Sequence, residues 1–200
     1  LKNLAFFVII NYNLKKKVGN NMKPRQVNVG NALELCLSLH EGQIRNDGSP
    51  YAQHPIRVAG IVMQYKESHM KRHLLAAAFL HDVLEDCYMS YIELKEKFGN
   101  LVAELVIELT TNPAEKRRMG KAEYLAIKMS KMSSWALVIK LADRLDNISD
   151  LENMSEEKRV NKINETYYII ANILLERDDL SETHMSLIRE IQKKLNEEVN

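Results

Sequence analysis

Residues 74–80, "LLAAAFL", are apolar on every side of a helix, and such a helix belongs at the centre of a bundle with other elements packed around it. Directly after it stands "HDVLED", residues 81–86, an imidazole and three carboxylates within two turns. The apolar run therefore carries His81 and Asp82 toward a half-buried depth, where an ionised carboxylate needs a partner. Glu85 lies four residues after His81 and Asp86 four after Asp82, so continued helix would stack the pairs on neighbouring strips. Facing one another with no cation, such groups would be driven by mutual repulsion to take up protons. A divalent cation would remove the repulsion and keep the imidazole neutral. Taken alone, the segment also fits a solvated helix end with a surface histidine.

The rest of the chain reads as helix almost throughout from Asn28. Ala32, Leu35, Cys36 and Leu39 make one apolar face, and "EGQIRNDGSPYAQ" breaks it with Gly42, Gly48 and Pro50. His54 then precedes Pro55, a natural first-turn proline, and Val58, Ile61, Val62 and Tyr65 form the next stripe. Ser90 and Glu93 stand in capping-box register before "YIELKEKFG", which Gly99 can end. Further helices are expected over about 100–110, 121–132, 134–149, 156–177 and 181–197, with "TTNPAEKRRMG" as a polar connector. There is no internal repeat and no persuasive strand after residue 30. The expectation is one all-α helical-bundle domain over residues 28–200, with residues 1–27 as an unplaced extension. Within that extension the apolar stretch from Leu4 to Ile10 is too short to cross a bilayer.

A chain of 200 residues with 46% hydrophobic content can bury one sizeable core rather than two. Its 28 Lys plus Arg against 27 Asp plus Glu leave a net charge of +1, which exerts no global pull on nucleic acid or anionic lipid. A highly charged small ligand must therefore meet a local basic patch. Cys36 and Cys87, far from any CxxC spacing, read as reduced thiols and favour a cytoplasmic setting.

Two further places bear on the metal reading. His54 sits at a helix mouth, where a helix-cap or core role competes with ligation. In "VIKLADRLDNISD", residues 138–150, Asp143 interrupts a hydrophobic segment, and Asp143, Asn147 and Asp150 line one face at i, i+4 and i+7. A buried Asp143 requires a cation or a salt bridge to another helix, because Arg144 beside it diverges on the helix. His54, His81, Asp82 and Asp143 together would make a mixed N/O site suited to Mn²⁺, Fe²⁺ or Zn²⁺ rather than Ca²⁺. Glu85 and Asp86 are then surplus to ligation and available as general bases. Arg45, Arg144, Lys140 and the rim formed by Lys116, Arg117, Arg118 and Lys121 are candidate contacts for an anionic substrate. Tyr51 would support a base, shape the pocket, or pack in the core. His40 reads as a helix-end packing residue. His69, His73 and His184 read as surface residues, and Met119, Met129, Met132 and Trp135 as packing residues.

The segments "HEGQIRNDGSPYAQHPIRVAGIV", "HDVLED" and "VIKLADRLDN" resemble, in this order and spacing, the hydrolase domain of the RelA/SpoT family within the HD phosphohydrolase superfamily. The resemblance implies an HD-domain helical bundle that uses Mn²⁺ to remove pyrophosphate from the 3′ position of ppGpp and pppGpp. It also implies His54, His81, Asp82 and Asp143 as metal ligands, Glu85 and Asp86 as the acidic pair that activates water, and Arg45 and Asn147 as further site residues. Asn46 stands where the family's hydrolases usually have lysine, and Asp146 where histidine is common. At this length the chain looks like a stand-alone small alarmone hydrolase, a type also associated with removing the 2′-phosphate of NADPH. A non-catalytic nucleotide sensor is the third reading. The expected partner is a small nucleotide, with neither nucleic acid nor membrane, and the oligomeric state is left open.

Overall fold

The computed structural model describes residues 27–149, 151 and 154–199. The opening segment, residues 1–26, and Asp150 lie outside the described residues. Val27 is buried in the core.

α1 (Val29–Leu39) starts at Asn28, whose side chain accepts from the backbone N–H groups of Gly30 and Asn31. It ends at His40, buried in the way expected of a packing residue, with Nδ1 2.8 Å from Gln43 Oε1. The loop that follows is a small hairpin. Ile44 and Pro50 form an isolated antiparallel bridge, and the Arg45 N–H donates to Ser49 O at 2.9 Å. Gly48 turns it at φ 83°, a backbone region that a side chain would strain. This hairpin carries Arg45 and Tyr51 into α2 (Gln53–Tyr65).

α3 (Lys71–Phe79) holds the apolar run, with Leu74, Ala76, Ala77, Ala78 and Leu80 buried. The expected continuation of that helix through "HDVLED" does not occur. The chain leaves the helix at Leu80, and α4 (Val83–Asp86) is a single turn. The break leaves His81 buried while Glu85 and Asp86 emerge exposed, so the stacked i, i+4 arrangement is replaced by a fan from core to surface. The capping box at Ser90 and Glu93 opens α5 (Tyr91–Phe98), and Gly99 closes it at φ 86°. α6 (Asn100–Leu109) follows.

The polar connector is in fact a helix, α7 (Pro113–Met119). Asn112 caps it by accepting from Ala114 and Glu115, and Pro113 occupies its first turn. None of its residues is buried, which is why apolar periodicity missed it. α8 (Lys121–Lys131), α9 (Ser134–Ser149), α10 (Glu156–Glu176) and α11 (Glu182–Val199) complete the all-α bundle.

α9 is the hub. It packs against α2, α3, α6, α10 and α11, and α3 in turn packs against α1, α2 and α6. Ala136 to Ile139, Leu141 and Ala142 are all buried. Asp143, Arg144 and Asp146 are buried with them, so three charged side chains on the central helix must be answered from within the fold. His184 corrects a surface expectation. It is fully buried, its Nε2 lies 2.8 Å from Ser134 O, and Nδ1 accepts from Ser181 N at 3.0 Å. The sequence held the signal, because His184 lies one turn before Leu187 and Ile188 on the buried stripe of α11. Met129 and Met132 are buried, and Met119 and Trp135 pack against the core from its edge.

Replacing Ile139 with alanine should lower the unfolding free energy by about 2–5 kcal/mol in urea titrations. Ser90→Ala, which removes only the cap of α5, should cost about 1 kcal/mol.

Candidate metal centre

The break after Leu80, the first turn of α2 and the middle of α9 meet at one point. His54 and His81 approach edge to face with ring centroids 5.1 Å apart. Ring nitrogens of both histidines and an oxygen of Asp143 all lie within 4.8 Å of one another. His54 Nε2 is 3.2 Å from Asp143 Oδ1 and 3.8 Å from Asp82 Oδ2. His81 Nε2 is 3.1 Å from Asp82 Oδ2 and 3.9 Å from Asp143 Oδ1. All four residues singled out by the spacing therefore converge.

The chemistry of this donor set fits a divalent cation. His81 Nδ1 donates to Ala78 O at 2.8 Å, which leaves Nε2 as the bare nitrogen. That Nε2 is fully buried and has no hydrogen-bond partner among the described residues. An orphaned lone pair at such depth is costly unless something electropositive meets it. Two imidazole nitrogens with two carboxylates suit a borderline ion.

The electrostatics agree. Burial works against charge on every one of these groups, yet each is drawn toward its ionised form by the others. Burial raises the Asp82 carboxyl, but the His81 ring and Lys140 outweigh it and hold it below the usual range. Burial likewise opposes ionisation of Asp143, and Lys140, His54 and His81 hold it well below. Burial lowers His54, while hydrogen bonds to Asp143 and Asp146 lift it to about 9, and Asp82 raises His81 against the same penalty. Carboxylates and imidazoles thus hold one another in their charged forms.

The surrounding residues divide by task. Tyr51 Oη donates 2.6 Å to Asp82 Oδ2 and lies 3.1 Å from Asp86 Oδ2, tying the buried carboxylate to the exposed one. Burial and these two anions keep the phenol protonated, far above its ordinary range. Lys140 Nζ pairs with Asp143 Oδ2 at 2.8 Å, and Asn147 donates its side-chain N–H to Asp143 Oδ1. Glu85 Oε1 accepts from the Thr111 N–H at 2.6 Å, which pins it at the lip of the site. Lys128, bonded to the Thr110 carbonyl, adds positive charge beside Glu85.

Other expectations fall elsewhere. Arg144 turns away from Asp143, as neighbours on a helix must, and pairs with Glu165 Oε1 at 2.6 Å on α10. Lys121 joins the same carboxylate at 3.1 Å. Arg117 sits on the exposed face of α7, and no described contact ties it to the cluster. Sequence reasoning missed Asp146 and Arg57. Asp146 Oδ2 lies 2.6 Å from His54 Nδ1, and both its oxygens accept from Arg57, with Arg45 at 3.9 Å. The departure from histidine at position 146 was visible, but not its consequence.

The HD domain family matches residues 32–180. The chain belongs to that family. A guanosine-3′,5′-bis(diphosphate) 3′-pyrophosphohydrolase of Aquifex aeolicus is 37% identical over 142 residues, 70% of this chain and 20% of that protein. The bifunctional (p)ppGpp synthase/hydrolase SpoT of Escherichia coli is 38% identical over 141 residues, 68% of this chain and 20% of that protein. This HD domain thus spans about a fifth of the length of these curated relatives. Among solved structures, a metazoan ortholog of SpoT, described as hydrolysing ppGpp, superposes with a TM-score of 0.69 at 25% identity, covering 88% of this chain and 98% of that one. The matched span includes the His81–Asp82 doublet and the other residues that converge on it. Among the described residues, no helix is long and apolar enough to cross a membrane.

Asp82→Asn should lower Mn²⁺ affinity, read by titration calorimetry, beyond the roughly 10–100-fold that loss of an outer-shell partner costs. Equal affinity in the variant and the parent would remove Asp82 from the ligand set.

Proposed function

We propose that this domain is a metal-dependent 3′-pyrophosphohydrolase of ppGpp and pppGpp, with His54, His81, Asp82 and Asp143 holding Mn²⁺, and Fe²⁺ or Zn²⁺ as alternative ions. The observation that carries the reading is the convergence of those four donors beneath two exposed carboxylates, in a fold shared with relatives named for that reaction. When bound, the cation supplies Lewis-acid polarisation of a phosphoryl oxygen and acidifies water at the site.

The chain's own residues do the remainder. Glu85, pinned by Thr111, and Asp86, held by Tyr51, orient the attacking water and take its proton. The new oxygen–phosphorus bond forms as the bond from phosphorus to the ribose 3′-oxygen breaks, and that oxygen leaves with the proton passed on from the acidic pair, giving GDP or GTP with a free 3′-hydroxyl and pyrophosphate. A sensor that binds without turnover has no use for such a pair.

The substrate carries phosphates at both ends of its ribose, so a second basic region is required. A cleft of about 570 Å³ is lined by Lys121, Lys158 and Lys162 together with Asn46, Asn161 and Glu165. Two of its lining residues connect toward the metal centre through neighbours in the chain or an ion pair. Asn46 follows Arg45, which reaches Asp146, and Glu165 holds Arg144 beside Asp143. Arg45, Lys121 and Asn147 keep a place as substrate contacts in this reading. Lys140 and Arg144 act on the substrate only through the carboxylates they hold, and Arg117 forms an outer rim. Asn46 lining the cleft in place of lysine favours a second substrate, NADPH, losing its 2′-phosphate. Orthophosphate from NADPH against pyrophosphate from ppGpp separates the two.

Glu85→Gln should retain Mn²⁺ and lose at least about 100-fold in kcat, the low end of general-base contributions. Loss of the metal in that variant would contradict its assigned role. Burial, with Arg144 and Lys121 nearby, lowers Lys162 to about 8. It is charged below that pH and neutral above it, so KM for ppGpp should rise as pH passes through 8. Lys162→Met should raise KM about tenfold at pH 7, the loss of one charge-assisted hydrogen bond, and abolish that rise. A parent enzyme whose KM is flat from pH 7 to 9 would remove Lys162 from the binding surface.

A further inference from the structure

One buried charged group takes no part in the mechanism above. Asp146 is 3% exposed, on the same face of α9 as Asp143 and one turn after it. Its carboxylate is fully engaged. Oδ1 accepts from Arg57 Nε at 2.6 Å, while Oδ2 accepts from Arg57 Nη2 at 3.1 Å and lies 2.6 Å from His54 Nδ1. The contact falls on the nitrogen that points away from the cluster. Because an ionised carboxylate only accepts, the hydrogen must sit on His54 Nδ1, and Nε2 is then the bare atom of the neutral ring. That Nε2 is the atom 3.2 Å from Asp143.

We propose that Asp146 is a positioning residue that locks His54 in the tautomer and ring orientation needed for ligation, with Arg57 clamping its carboxylate in place. His81 supplies the comparison within the same molecule. Its Nδ1–H is held by the neutral Ala78 carbonyl, which selects the same tautomer without supplying negative charge. The two histidines thus have different backing. An anionic acceptor makes His54 the more strongly donating ligand, and an outer-shell partner of this kind is worth roughly 10–100-fold in metal affinity. A single helix, α9, presents both the carboxylate that faces the ion and the carboxylate behind the opposing imidazole. The sequence at 146 is what makes this possible, since a histidine there could hydrogen-bond to His54 but not bring a buried negative charge.

The alternative is that Asp146 only ties α2 to α9 through Arg57. The two separate on readouts that such a tie does not move. Mn²⁺ affinity at pH 8 is measured by titration calorimetry for the parent, Asp146→Asn, Asp146→Ala and Arg57→Gln. The His54 tautomer in the metal-free proteins is read from long-range ¹H–¹⁵N correlation spectra at pH 10, above the value of about 9 to which the ring is raised, where it is neutral. Asp146→Asn keeps an oxygen that can accept from Nδ1–H, so it should hold the tautomer and lose about tenfold in affinity. Asp146→Ala should lose about 100-fold and show a mixture of tautomers. Arg57→Gln should lower the melting temperature and weaken Mn²⁺ by less than Asp146→Asn does. Affinity unchanged within twofold in Asp146→Asn overturns the proposal, as does an unmixed parent tautomer in Asp146→Ala. If the alanine variant does not fold, the asparagine variant decides alone. The inference rests on His54 being a ligand, and His54→Ala tests that separately. An undiminished Mn²⁺ affinity there defeats the metal reading itself, whereas a loss there with Asp146→Asn unaffected defeats only the positioning role.

Discussion

The structure is organised around three carboxylates drawn out of water at one point, each of which needs a positive partner. Asp82, Asp143 and Asp146 gather about two imidazoles at the junction of α2, α3 and α9, with Lys140, Arg57 and Arg45 as the cationic side chains that reach them. Removing an ionised carboxylate from water costs several kcal/mol after relaxation, and here the imidazoles and cationic side chains outweigh that penalty, holding all three carboxyls below their ordinary range. The same contacts raise both histidines, so that without an ion the imidazoles supply part of that positive charge. His54, His81, Asp82 and Asp143 would hold a divalent cation there, which would take the place of the imidazole protons and meet the His81 Nε2.

The fold follows from that requirement. α9 has to be central for Asp143 and Asp146 to lie deep, and its hydrophobic segment from Ala136 to Ala142 puts it there. α3 must stop where it does, because an uninterrupted helix would leave His81 and Glu85 on one strip at similar depth. The break at Leu80 instead sets His81 in the interior and Glu85 and Asp86 at the surface, which separates a buried imidazole from exposed carboxylates along six residues. The hairpin turned at Gly48 brings Tyr51 across to join the two ends of that fan.

Much of this was legible in the sequence, for identifiable reasons. His81, Asp82 and Asp143 could be named because they follow or interrupt apolar runs, an anomaly that short-range patterning exposes, whereas His54 rested on its place at a helix mouth and on the family resemblance. Helices with a buried stripe were placed to within a few residues. α7 was missed because it buries nothing, although Asn112–Pro113 carried its start signal. The pairing of Arg144 with Glu165 spans 21 positions, and that of His54 with Asp146 spans 92, separations over which periodicity carries no information. Asp146 shows the limit most clearly. Its identity stood out against the family pattern, but only the three-dimensional meeting of α2 and α9 turns that difference into a contact on a specific ring nitrogen.

Anomalous diffraction at the manganese absorption edge, on crystals grown with Mn²⁺, tests the central claim most directly. A single strong peak should lie among His54 Nε2, His81 Nε2 and the carboxylates of Asp82 and Asp143. A peak coordinated by other side chains, or those four residues ordered around no peak at saturating manganese, would contradict the account.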